Sequence, residues 1–204
     1  NIFVDGTPET YSDAVKEIIK REKIDYKDSN ISFQIAGDWK QINTQYSQYV
    51  QYYKYINTFP DLNQQTNQTE EQEEDYSSYP AMIVVTYEQI DPTTIKSIED
   101  VKTNIEESIN KSEEKPDTLE MNILKTANEY ETCALKCLYR NDYDMLKVKI
   151  IFNSEPQEIM YNYYILTEDK IARIIAESYS LEDDKEIESV ANDVSNSFTW
   201  VVNE

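Results

Sequence analysis

Apolar positions recur along this chain with two different periods, and the switches between them mark its elements. Residues 1–8 read as a leader. Ala14, Val15, Ile18 and Ile19 then follow at helical spacing, with Glu9 early and Lys20, Arg21 and Lys23 late, where these charges complement the helix dipole. The spacing predicts a helix over 9–23. In "ISFQIA", Ile31, Phe33 and Ile35 alternate with Ser32, Gln34 and Ala36, the period of a half-buried strand, and Gly37-Asp38 ends it just before Trp39.

The stretch "QYSQYVQYYKYI" (45–56) satisfies both periods. As a helix it sets Tyr46, Tyr49, Val50 and Tyr53 on one face and leaves Tyr52 and Tyr55 off it. As a strand it requires burial on both sides. Tyr favours strands and Gln favours helices, and the period tips the reading to a helix.

Residues 60–80 are polar and acidic and predict a mobile loop. "AMIVVTYEQI" (81–90) predicts a buried strand. Ile95, Ile98, Val101, Ile105 and Ile109 predict an amphipathic helix with Pro92 near its start. Beyond it come "TLEMNILKTA", "EYETCALKCLYR", "MLKVKIIF", "EIMYNYYIL" and "IARIIAESYS", candidate strands joined by tight polar turns such as "NDYD" and "TEDK". They indicate an antiparallel sheet. A last helix has Ile187, Val190, Ala191, Val194 and Phe198 on its inward face, with Asp183 or Asp184 as its N-cap. The predicted organisation is a leader and helix over 1–30 and one α+β domain over 31–204.

Two segments resemble a known family. The strand ending in Gly-x-Trp, "ISFQIAGDW", is similar to the opening of PsbP-like domains. That group includes photosystem PsbP proteins, bacterial lipoproteins and Ran-binding import factors. "YNYYILTEDKIARIIAESY" resembles their closing hairpin and "IESVANDVSNSFTW" their last helix. The resemblance covers 31–42 and 130–201. It implies an α/β/α sandwich, a central antiparallel sheet flanked by helices, in adaptor or binding roles without catalysis. No functional residue carries over.

Composition narrows the chemistry. With 204 residues and only 2 Gly, no glycine-rich phosphate loop can be built. There is no His, so Ser-His-Asp and Cys-His sites are excluded and zinc loses its commonest ligand. Asp+Glu outnumber Lys+Arg by 40 to 19, and the net charge of −21 repels nucleic acid and anionic lipid surfaces. We therefore expect no nucleic-acid partner. No run approaches a membrane span of about 20 apolar residues. The opening on Asn1 rather than Met is compatible with a removed signal peptide or a lipidated N-terminus. Cys133 and Cys137 would lie about 13 Å apart on a strand and read as small buried apolar residues.

Among 17 Tyr, the stripe at helical spacing lines a core, and the rings outside it are candidates for stacking on a ligand. Tyr52 and Tyr55 are chosen on that basis, with Tyr161 and Tyr163 of the closing hairpin beside Tyr164. No catalytic residue, metal ligand or cofactor is assigned. The acidic runs "EEQEED" and "LEDD" lack the glycine and spacing of a calcium loop. The leading expectation is a non-catalytic bacterial domain, secreted or lipid-anchored and hence extracellular, that binds a protein or cell-envelope ligand. A carboxylate-dependent hydrolase is the alternative, and a calcium-dependent module a third.

Overall fold

The computed structural model describes residues 22–42, 48–56, 79–124, 144–154 and 156–201. The predicted helix body over 9–21, the acidic stretch over 60–78, the "EYETCALKCLYR" strand and both cysteines lie outside the described residues.

Ten strands and two α-helices are described. They run β1 (Lys23–Lys27), β2 (Ile31–Ala36), β3 (Lys40–Ile42), β4 (Tyr49–Lys54), β5 (Ala81–Gln89), α1 (Ile98–Lys111), β6 (Thr118–Leu124), β7 (Met145–Phe152), β8 (Glu158–Leu166), β9 (Lys170–Ser178), α2 (Asp184–Ser197) and β10 (Thr199–Trp200). Every pairing is antiparallel. Seven strands form one sheet in the order β3-β4-β5-β9-β8-β7-β6, and β1-β2-β10 form a smaller one. The predicted α+β class with an antiparallel sheet holds.

The strands pair because their sequences alternate. In β2, Ile31, Phe33 and Ile35 are buried and Gln34 is exposed. The turn at 167–170 closes with the Thr167 amide donating to the Lys170 carbonyl at 2.8 Å, and this sets Tyr164 opposite Arg173 and Asn162 opposite Ile175. Register matters because a one-residue slip would exchange the two faces of the sheet.

Those faces are filled differently. Ile159, Tyr161, Tyr163 and Ile165 of β8 join one buried cluster with Ile187, Val190, Ala191, Val194 and Phe198, the predicted inward face of α2. Tyr164 and Leu166 join a second cluster with Ile98 and Val101 of α1. Successive strand residues point to opposite sides, so α1 and α2 meet β8 through opposite sets of side chains. α2 also packs on β2 and β9, and α1 on β6 and β7.

Several predicted elements are corrected. Residues 49–54 form a strand, not a helix. Val50 and Tyr52 enter the large core cluster, while Tyr49, Gln51 and Tyr53 point to the other face and are half-buried. Tyr suits this position because its apolar body packs while its hydroxyl stays near water, so both faces are occupied without either being purely aliphatic. Lys23 belongs to β1 rather than to a helix. β1 was not foreseen, because "KIDYK" has only Tyr26 turned inward, stacked on Phe33 at 4.9 Å between ring centroids. The predicted helix near Pro92 begins only at Ile98. Ser97 caps it, accepting from the Asp100 amide at 3.3 Å while the Asp100 carboxylate accepts from the Ser97 amide at 3.1 Å. Asp183 is the N-cap of α2, after a short 3₁₀ turn over Leu181–Asp183.

Candidate functional site

The four rings chosen from the sequence do not form one platform. Tyr52 is 3% exposed, and Tyr161 and Tyr163 are 1% exposed, so none of these three offers a face to a ligand. Burial pushes the Tyr52 phenol up to about 12. Tyr161 donates to the Asp184 carboxylate at 2.6 Å and Tyr163 donates to the Asn192 side chain, so both hydroxyls are used to seat α2. Lys149 reaches the same Asp184 at 2.9 Å and Lys147 reaches Glu188 at 2.5 Å. Burial pushes the Asp184 carboxyl up, but the bonds from Tyr161 and Lys149 outweigh it and hold the group below the usual carboxylate range. This cluster is a polar seam between helix and sheet. Tyr55 is half-buried, with its ring edge-on to Tyr53 at 6.0 Å, and lies on β4's side of the sheet, away from the β7–β8 seam.

A groove opens on the opposite face of β8. It arises from how α1 is seated. Ile98 and Val101, in its first half, are 1% and 5% exposed, whereas Ile105 and Ile109 on the same stripe are only half-buried. The first turns dock on the sheet, and the later turns form one wall of a cavity of about 430 Å³. Val148 and Ile150 of β7, Asn162 and Tyr164 of β8, and Arg173 of β9 form its floor and far side. A volume of this size falls in the range of small-ligand sites, roughly 300–1,000 Å³.

The polar groups of the groove converge. Arg173 donates through Nη2 to Oδ1 of Asn162 at 3.2 Å, and its guanidinium lies 5.4 Å from the centroid of the Tyr164 ring. Asn162 is 1% exposed, so this bond satisfies a buried amide oxygen and fixes the arginine at the same time. Burial raises the Tyr164 phenol, with Arg173 opposing, so the hydroxyl stays protonated at neutral pH. The arrangement can hold an anion beside an apolar wall.

Asn162 and Arg173 were missed by sequence reasoning, yet both leave a signal. Each is a polar residue inside an apolar strand, "MYNYYI" and "IARIIA", and the turn between them places them one step apart across the hairpin. Reading the hairpin register before ranking aromatic residues would have found the pair.

Other candidate groups lie elsewhere. Glu158 and Glu177 both have raised carboxyl pKa values. Burial is the main cause in each, with Glu177 adding repulsion at Glu158 and Arg173 opposing the rise at Glu177. Neither lines the groove. Among the described residues no group of acids or cysteines is arranged to hold a metal ion. No described helix is long and apolar enough to cross a membrane.

No family model matches the chain, and no curated protein matches it. Solved structures do. LpqN, involved in cell envelope biogenesis of Mycobacterium tuberculosis, is matched over 93% of this chain and 97% of its own, at 9% identity and a TM-score of 0.51. The Saccharomyces cerevisiae Ran-binding protein Mog1p is matched over 88% of this chain and 95% of its own, at 11% identity and a TM-score of 0.48. A Bacteroides thetaiotaomicron protein is matched over 83% of this chain at 10% identity and a TM-score of 0.46, and the chain spans 44% of that protein's length. The likeness to LpqN is one of fold.

Proposed function

We propose that the chain is a non-catalytic binding domain, secreted or lipid-anchored at a bacterial cell surface, which holds a cell-envelope ligand or partner in the groove beside α1. In this reading the domain is an α/β/α sandwich, with α1 and α2 on opposite faces of the sheet. The observation that carries it is the groove itself, a largely apolar recess in which Arg173, Asn162 and Tyr164 converge and which Asn104 and Ser108 of α1 also line. None of these three groups is set to take a proton, because Arg stays charged, Asn does not titrate and the Tyr164 phenol is raised by burial. The shared fold with a protein of envelope biogenesis supports the same compartment.

The test is native mass spectrometry of the 204-residue chain incubated with an envelope extract of its own source cells. The expected result is a discrete ligand adduct that Ile105→Trp, which fills the groove, abolishes without lowering the melting temperature by more than a few degrees. No adduct, or one indifferent to Ile105→Trp, would overturn the reading. A hydrolase remains the second reading, favoured by the raised carboxyls of Glu158 and Glu177. It predicts conversion of the extract that Glu158→Gln or Glu177→Gln abolishes.

A further inference from the structure

We infer that the occupant of the groove is a single-chain amphiphile ending in a carboxylate or phosphate, its chain against Ile105, Val148 and Ile150 and its anion on the Arg173 guanidinium. This rests on the groove being the binding site, and it adds the chemical class of what binds there.

The first support is the company Arg173 keeps. The chain carries 40 acids, and several of its described lysines pair with them. Lys54 reaches Asp38 at 2.5 Å and Glu186 at 2.6 Å, Lys147 reaches Glu188 at 2.5 Å, and Lys149 reaches Asp184 at 2.9 Å. Arg173 is the one arginine among the described residues and is exposed, and no described carboxylate pairs with it. Its contacts are a neutral amide and a neutral ring, and the charge of Glu177 acts on it without a direct bond. A guanidinium has five donors in a planar fork suited to two parallel bonds with a carboxylate or phosphate. One donor is used on Asn162, which orients the fork. Tyr164 supports it from the side.

The lining is the second support. It contains no Asp or Glu, although acids make up 40 of 204 residues. An acid in the groove would neutralise Arg173 and repel an anionic ligand. The acid of β9, Glu177, stands further along the same face, outside the groove lining, where Arg173 opposes the rise that burial causes in its carboxyl. A cationic head group therefore finds no carboxylate in the groove lining, and an uncharged one leaves the remaining donors of the arginine to solvent.

Shape gives the third. A recess of about 430 Å³ accepts a small molecule, whereas a stable protein interface covers roughly 800 Å² on each side. The half-buried Ile105 and Ile109 supply one apolar wall, facing Val148 and Ile150 across the floor. A flexible alkyl chain fills such a slot.

The experiment is isothermal titration of the whole chain with decanoate, decyl phosphate and decanol, repeated on Arg173→Gln and Ile105→Trp. A charge-assisted pair contributes about 1.5–3 kcal/mol, so decanoate or decyl phosphate should bind about tenfold or more tightly than decanol. The two acids tell a carboxylate ligand from a phosphate one. In Arg173→Gln the advantage should shrink to about twofold or less, while decanol is unchanged. Ile105→Trp should weaken all three. Amide shifts at Asn162, Tyr164 and Arg173 should accompany binding. Equal affinity for decanol and both anions, lost in Ile105→Trp, would sink the anion inference and leave the groove reading standing. An anion preference that survives Arg173→Gln would sink it too. Failure of every probe, together with no adduct from the envelope extract, would remove the groove reading itself. A peptide as the adduct would replace the amphiphile with a protein partner.

Discussion

Tyr163 and Tyr164 are neighbours in sequence and strangers in space. Tyr163 points under α2, where it is 1% exposed and bonded to Asn192. Tyr164 points under α1, where it is half-buried, lines the groove and carries Arg173 on its ring. The two faces of one sheet thus have different jobs. The α2 face is closed by a helix whose whole inner stripe is buried and whose polar rim is bonded to β7 and β8. The α1 face is closed only along the first turns of its helix. One residue type serves as core on one side and lines a groove on the other, and strand parity alone decides which.

The largest way to test this contrast is to truncate each ring. Tyr163→Ala removes a packed aromatic and leaves a cavity, at a cost of about 3–5 kcal/mol. That corresponds to a loss of roughly 10 °C in melting temperature for a chain of this size. Tyr164→Ala should cost about 1–2 kcal/mol, since part of the ring already faces the groove, and should instead loosen Arg173. Urea unfolding of both variants measures the gap. Equal losses would mean that the two faces are packed alike.

The same parity explains what the sequence could reveal. Strand and helix periods predicted β2, β5, β7, β8, β9, α1 and the inner face of α2, because each has apolar residues of one dominant period. Residues 49–54 were misassigned because Tyr fits either period. Its amphipathic ring lets Val50 and Tyr52 enter the core while Tyr49 and Tyr53 cover the other face. The site was less legible for a related reason. Misfit to a helical stripe selected Tyr52 and Tyr55, and the closing hairpin added Tyr161 and Tyr163; the sheet buries Tyr52, Tyr161 and Tyr163. What marks the groove is the exception within the apolar runs, Asn162 and Arg173, and it acquires meaning only once the turn at 167–170 sets them diagonally across the hairpin. The looseness of α1 has no local signature, since Ile98, Val101, Ile105 and Ile109 look equivalent in sequence and differ only in what the sheet places beneath them.

A second prediction probes the polar rim of the closed face. Tyr161→Phe keeps the ring and removes the donor to Asp184, leaving Lys149 as that carboxylate's partner. The expected loss is about 1 kcal/mol at neutral pH. Asp184 is held below its ordinary value of 3.8 in the folded chain, so its contribution is present above that pH and is lost as pH falls through the lower folded value. Tyr161→Phe and the unmodified chain should therefore converge in stability toward pH 2. A gap that stays constant from pH 7 to pH 2 would show that the bond does not bias Asp184.

The smallest effect concerns the open face, and its sign is opposite. Burial raises the Glu177 carboxyl above its ordinary 4.5. The fold therefore favours the protonated form, and this stability is present below pH 4.5 and is lost as pH rises through the folded value. Glu177→Gln mimics the protonated acid. It should match the parent chain near pH 4 and exceed it modestly at pH 7. Denaturant midpoints at the two pH values measure this. Stability that rises between pH 4 and 7 equally in both chains would mean that Glu177 is solvated in the folded protein. Burial would then not distinguish the acid of β9 from a surface carboxylate, and the contrast between a sealed face and an acid-poor open one would lose its electrostatic half.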